Sequence, residues 1–158
     1  MPRKRKKGKR KEPENEYYEI ELGHWEVNYH FGINTGPKDL VPGVYWEHLA
    51  IIMPGKILSP VVEKANKAKI QIAAEPQMDD HWKVEPTIVS AKATGWMEIP
   101  RGDDTLIFYC SIPSQSFQFI ALAVHSKKAR FASISGTKLK WRQGTISDFR
   151  LSTHRDEE

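Results

Sequence analysis

From Trp25 to Ile33 apolar side chains alternate with polar or small ones. Trp25, Val27, Tyr29, Phe31 and Ile33 fall on one side, and Glu26, Asn28, His30 and Gly32 on the other. A period of two belongs to extended chain with one buried face, because successive side chains of a strand point to opposite sides. Just before it, Ile20 and Leu22 fall in the opposite phase, which predicts a bulge or tight turn at Gly23-His24.

The apolar stretches that follow are short, and each is bounded by residues that favour turns. Val44 to Met53 closes at Pro54-Gly55, and Lys69 to Ala74 ends at Pro76. Thr87 to Met97 (broken near Gly95), Thr105 to Ser111, Phe117 to Val124, Ala129 to Ser135, Thr137 to Arg142 and Thr145 to Leu151 complete the series. Short strands at this spacing predict an all-β fold, a two-layer antiparallel β-sandwich of jelly-roll or Greek-key type. One stretch departs from it. Ser59 before Pro60 reads as a helix N-cap and first-turn proline, which puts Val61, Val62 and Ala65 on one side of a short helix over 59–68.

Charge divides the chain differently. Arg3, Lys4, Arg5, Lys6, Lys7, Lys9, Arg10 and Lys11 sit together with no acid among them, and Glu12 to Glu16 follow as an acidic run. The whole chain carries 24 basic and 20 acidic residues; without those eight cations the body is left with 16 against 20, a net charge of −4. Residues 1–16 lack the apolar content that offsets ordering entropy, so they are expected to be a disordered tail. The β domain is expected over 17–153, with a frayed C-terminus at 154–158.

Several classes are excluded. The longest clean apolar run, Leu49 to Met53, falls far short of the roughly 18 residues of a spanning helix, so no membrane partner is expected. No apolar segment follows the basic run, as a secretory signal would require. The single cysteine, Cys110, allows no intrachain disulfide, which points to a reducing compartment: the cytoplasm, or the nucleus if the source is eukaryotic.

The chemistry-bearing residues form few constellations. Asp79, Asp80, His81 and Trp82 share a polar loop over 76–86, a possible binding loop or, with carboxylate and imidazole adjacent, a metal site. No second histidine or cysteine stands at ligand spacing there, so neither metal nor cofactor is expected. His24 and His30, on one strand, would lie about 20 Å apart, too far to share an ion. Cys110 sits in an apolar strand, where a thiol is usually inert. Ser111, Ser114 and Ser116 lack the glycines of a nucleophile elbow and read as a turn. No catalytic residue is assigned.

Two features favour binding instead. The cationic run would contact phosphates or serve as a nuclear address. Lys127, Lys128, Arg130, Lys138, Lys140 and Arg142 form a second basic stripe over 127–142; on a strand, Lys138, Lys140 and Arg142 would share the outer face while Leu139 and Trp141, like Trp25, point to the core. The leading expectation is a non-enzymatic interaction module that binds a protein or nucleic-acid partner through a sheet face and end loops, with the tail adding electrostatic affinity. The alternatives are a dedicated nucleic-acid-associated protein that uses tail and stripe together, and a metal-dependent enzyme built around the 76–86 loop. The sequence leaves the oligomeric state open.

Overall fold

The computed structural model describes residues 14–33, 45–79 and 93–155. The cationic run, the loop expected after Ile33, most of the 76–86 loop and Thr87 to Lys92 of one expected strand lie outside these residues. The described chain is mostly β, as expected. Its strands are β1 (Asn15–Leu22), β2 (Glu26–Ile33), β3 (Tyr45–Ser59), β4 (Lys67–Ala74), β5 (Gly95–Glu98), β6 (Thr105–Ile112), β7 (Phe131–Thr137) and β8 (Gln143–Ser152), with one helix, α1 (Ser114–His125), and a single 3-10 turn at Pro76–Met78.

The strands do not stack as a two-layer sandwich. They form one sheet in the order β1-β7-β8-β5-β6-β4-β3-β2, and an added β1–β3 pairing closes it into a seven-stranded barrel. Closure removes the exposed edges of the seven strands in the ring. The interior is filled by strict alternation. Ala68, Ile70 and Ile72 of β4 lie in parallel register with Leu106, Phe108 and Cys110 of β6, and all are buried. Tyr18 and Ile20 of β1 pair with Ile134 and Ala132 of β7, and the Tyr18 ring meets Phe108 edge-on with centroids 5.4 Å apart.

Pro54-Gly55 is not a turn: β3 runs straight through it. At this point β3 changes neighbours, from β2 (ending at Ile52–Glu26) to β1 (beginning at Gly55–Leu22). The Pro54 carbonyl accepts from Gly23 N–H at 2.7 Å, so the side of Pro54 that lacks an N–H faces the gap between the two strands, where no ladder bond is lost. The expected bulge at Gly23-His24 is this gap. β2 therefore lies outside the closed ring, paired among the described residues only with the first part of β3. Its expected buried face is instead about half exposed at Val27, Tyr29, Phe31 and Ile33.

The helix expected over 59–68 is absent. The Ser59–Pro60 peptide is cis, and Val62 and Ala65 form an antiparallel bridge that carries the chain from β3 into its partner β4. A free-standing helix of two or three turns is marginal, and the β3–β4 register overrides it. The observed helix lies where a strand was expected, over Phe117 to Val124. Phe117 and Val124 enter the core, with Ile120 and Ala121 packed beside them, and together they plug one end of the barrel. Among the described residues no helix is long and apolar enough to cross a membrane.

Candidate functional site at the barrel mouth

The end opposite α1 is built from connections: the start of β1, residues 60–66 between β3 and β4, residues 99–104 between β5 and β6, and the tip of the β7–β8 hairpin. They enclose a groove of about 570 Å³, with Tyr18, Ile99 and Leu139 on its apolar side and Val61, Lys64, Arg101, Lys138 and Trp141 among its other lining residues. Barrel mouths are common ligand sites because loops there vary while the strands hold them still.

The hairpin tip is its most unusual part. β7 stops at Thr137, so Lys138, Lys140 and Arg142 do not lie along one strand face. Lys140 N–H donates to the Gln143 carbonyl at 2.8 Å and Gln143 N–H returns to the Lys140 carbonyl at 3.1 Å, leaving Trp141 and Arg142 as a two-residue loop. Both have left-handed backbones, φ 55° and 69°. This conformation ordinarily selects Asn-Gly, and it costs an L-residue with a full side chain roughly 1–2 kcal/mol. The turn throws Trp141 outward. Expected in the core, it is 88% exposed. Among the described residues no ring or cation packs on its faces. Trp96, by contrast, is stacked on Tyr109 at 4.0 Å on the barrel's outer wall. Trp25 is partly buried at the α1 end, with His125 edge-on against its ring.

Arg142 holds this turn in place. Its Nε donates to the Ile99 carbonyl at 2.8 Å, and one terminal nitrogen donates to the carbonyls of Pro100 at 2.6 Å and Asp103 at 3.2 Å. Ile99 N–H donates in return to the Arg142 carbonyl at 2.9 Å. Donors on a charged group make the stronger class of hydrogen bond, so the β5–β6 turn and the β7–β8 hairpin are fastened to each other. Arg142 is thus a clamp within the fold. Across the groove Val61 is 99% exposed, although the expected helix would have buried it.

The rim is positively charged. Of the groove's charged residues, Lys64, Arg101, Lys138 and Arg142 are cations, and Glu16 and Glu63 are carboxylates. Lys138 pairs with Glu14 at 3.3 Å, whereas among the described residues Lys64, Arg101 and Lys140 hold no ion pair. Tyr18, at the groove floor, donates to Glu16 at 3.0 Å. Burial, reinforced by the Glu16 hydrogen bond and charge, pushes its phenol far above the usual range, so it remains a donor.

The chain enters the barrel at this rim. Lys138 N–H donates to the Glu14 carbonyl at 2.7 Å, beside the side-chain pair. The eight cations at 3–11 lie outside the described residues, in the segment that joins the fold here at Glu14. The rest of the stripe lies elsewhere. Lys127, Lys128 and Arg130 sit at the α1 end, separated from Lys138 by the length of β7, roughly 25 Å.

The expected loop site is described only at Asp79. Its carboxylate accepts from Ser114 N–H at 2.6 Å and from the Ser114 hydroxyl, which caps the first turn of α1. Asp80, His81 and Trp82 lie outside the described residues. Ser114, read as part of a turn, opens the helix. Cys110 is buried, and burial pushes its thiol up to about 12, the opposite of an activated nucleophile. Among the described residues no group of three His, Cys, Asp or Glu side chains is placed to hold a metal ion. Sequence reasoning missed Val61, Lys64 and Arg101, and it placed Trp141 on the wrong side; the only available signal was Pro100-Arg101-Gly102-Asp103, correctly read as a turn. The chain matches no family model, no curated protein and no solved structure, so its function has to be read from the residues of this groove.

Proposed function

We propose that this chain is a non-enzymatic interaction module that takes a polyanionic partner at the barrel mouth, with the cationic segment 3–11 adding electrostatic affinity. The observation that carries this reading is the junction at Glu14, which tethers eight cations to the rim of the groove that exposes Trp141 and Val61. The body as a whole is acidic and would repel a polyanion from most of its surface. The cationic segment joins the fold at the end where, among the described residues, Lys64, Arg101 and Lys140 hold no ion pair. A tethered second site raises effective concentration and strengthens binding without any change in the first site. The exposed apolar residues add contact area that charge alone lacks. The proposed setting is the cytoplasm, or the nucleus in a eukaryote, supported by the free thiol and the basic run.

Chromatography on immobilised heparin tests the reading. The intact chain is expected to be retained at low salt. Deleting residues 2–11 lowers the eluting salt and flattens the plot of log affinity against log salt, since fewer bound cations release fewer counterions. Lys64→Gln with Arg101→Gln lowers retention further. Intact protein that flows through at low salt contradicts the proposal.

A further inference from the structure

We infer that the polyanion is a single-stranded nucleic acid and that Trp141 stacks on one of its bases, an assignment that rests on the polyanion reading above. Charge complementarity narrows the partner to a polyanion; the indole narrows it further. Trp141 stands at the apex of a two-residue turn, free of any ring or cation on its faces among the described residues, and borders a groove whose rim carries Lys64, Arg101 and Lys138. Aromatic faces beside a cationic track are how single strands are gripped without regard to sequence: phosphates follow the charge while bases stack on the rings. A sulfated sugar or an acidic peptide presents charge but no flat π-face to such a ring. A duplex keeps its base faces inside the helix, where this indole cannot reach them.

The backbone supports the same assignment. The turn would be more stable with Asn and Gly at its apex, yet it carries Trp and Arg. Arg142 has a structural use in its three carbonyl contacts. Trp141 makes no ring, cation or side-chain hydrogen-bond contact among the described residues that would explain its place. An unfavourable conformation held at a surface position suggests use by a ligand.

The test uses the full chain and fluorescence anisotropy with a labelled oligothymidylate of about 15 nucleotides, the matching oligouridylate and a duplex of equal length. Trp141→Asn is the variant of choice, because asparagine tolerates the left-handed turn. Both single strands are expected to bind more tightly than the duplex. Trp141→Asn should weaken them roughly 5- to 150-fold without lowering the thermal midpoint, and be largely rescued by Trp141→Phe. A preference between the two strands reports the sugar and the thymine methyl together, and either result supports the inference. If the duplex binds as tightly as the single strands, or Trp141→Asn leaves their affinity intact, base stacking is overturned while heparin retention keeps the polyanion reading. Oligoglutamate binding that depends on Trp141 to the same degree also overturns it. Loss of heparin retention by the intact chain sinks both.

Discussion

A guanidinium at position 142 reaches three carbonyl oxygens of the neighbouring turn, and only a planar, multiply donating cation can do so from a two-residue loop. Arg142→Ala is expected to cost about 1–3 kcal/mol in urea unfolding, and Arg142→Lys to recover little of it. Trp141→Asn, one residue away, should leave stability unchanged or slightly raised, so the two neighbours separate a structural role from a binding one. Cys110 gives a pH prediction. Burial pushes its thiol to about 12, whereas an unfolded thiol ionises near about 8.5. Its contribution to stability is full below the unfolded value and drains away as pH climbs toward the folded one, because the unfolded chain releases a proton that the barrel retains. Native protein should resist a thiol reagent at about pH 8 and react fully once unfolded. Rapid labelling of the native chain would contradict the buried placement.

Asp79 shows how an element depends on a distant residue. The α1 N-terminus follows Pro113, whose side chain offers no cap, and a carboxylate 35 residues earlier accepts from Ser114 instead. Asp79→Ala should destabilise the protein by about 1 kcal/mol, with Asp79→Asn milder, as read from urea midpoints. The helix was legible in part: Phe117, Ile120, Ala121 and Val124 follow the spacing of a helical stripe. The stretch is also short, apolar and bounded by turn residues, which on local evidence equally suits a buried strand. Its cap lies in a separate part of the chain, so no local signal could decide between them. The 59–68 stretch failed the other way. Ser59-Pro60 has the local grammar of a helix start, but pairing of β3 with β4 sets the path there. Pro54-Gly55 was misread as a turn because the gap between β1 and β2 that accommodates it exists only in the folded sheet.

For the molecule as a whole, strand content could be read from the chain, but the closure could not. Alternation in β4 and β6 is plain in the sequence, yet barrel and sandwich differ by the β1–β3 pairing, which joins Glu19 to Ser59 across the chain. No local pattern encodes that contact. Closure also demands close approaches. A Cβ on Gly136 would lie 2.2 Å from the Thr145 carbonyl oxygen and 3.0 Å from the Met97 side chain, at the β7–β8 bulge. Gly136→Ala is therefore expected to destabilise the fold by about 3 kcal/mol, because backbone, not a movable side chain, stands in the way. The candidate site divides likewise. The cationic run was evident from composition, but its partner groove was not, since residues 61–64, 99–101 and 138–142 converge only when the barrel closes. β2 shows the converse, a strand evident from its alternation whose expected buried face is half exposed because β2 lies outside the ring.

The central claim, that the mouth opposite α1 is the binding surface, is tested most directly by titrating isotope-labelled full-length protein with the oligothymidylate and following amide and indole N–H resonances. The account predicts shifts concentrated at residues 61–64, 99–101 and 138–142, with the Trp141 indole the most perturbed of the five tryptophans, and little change at 120–130. Shifts centred on the α1 end or on β2, with the Trp141 indole unmoved, would contradict it.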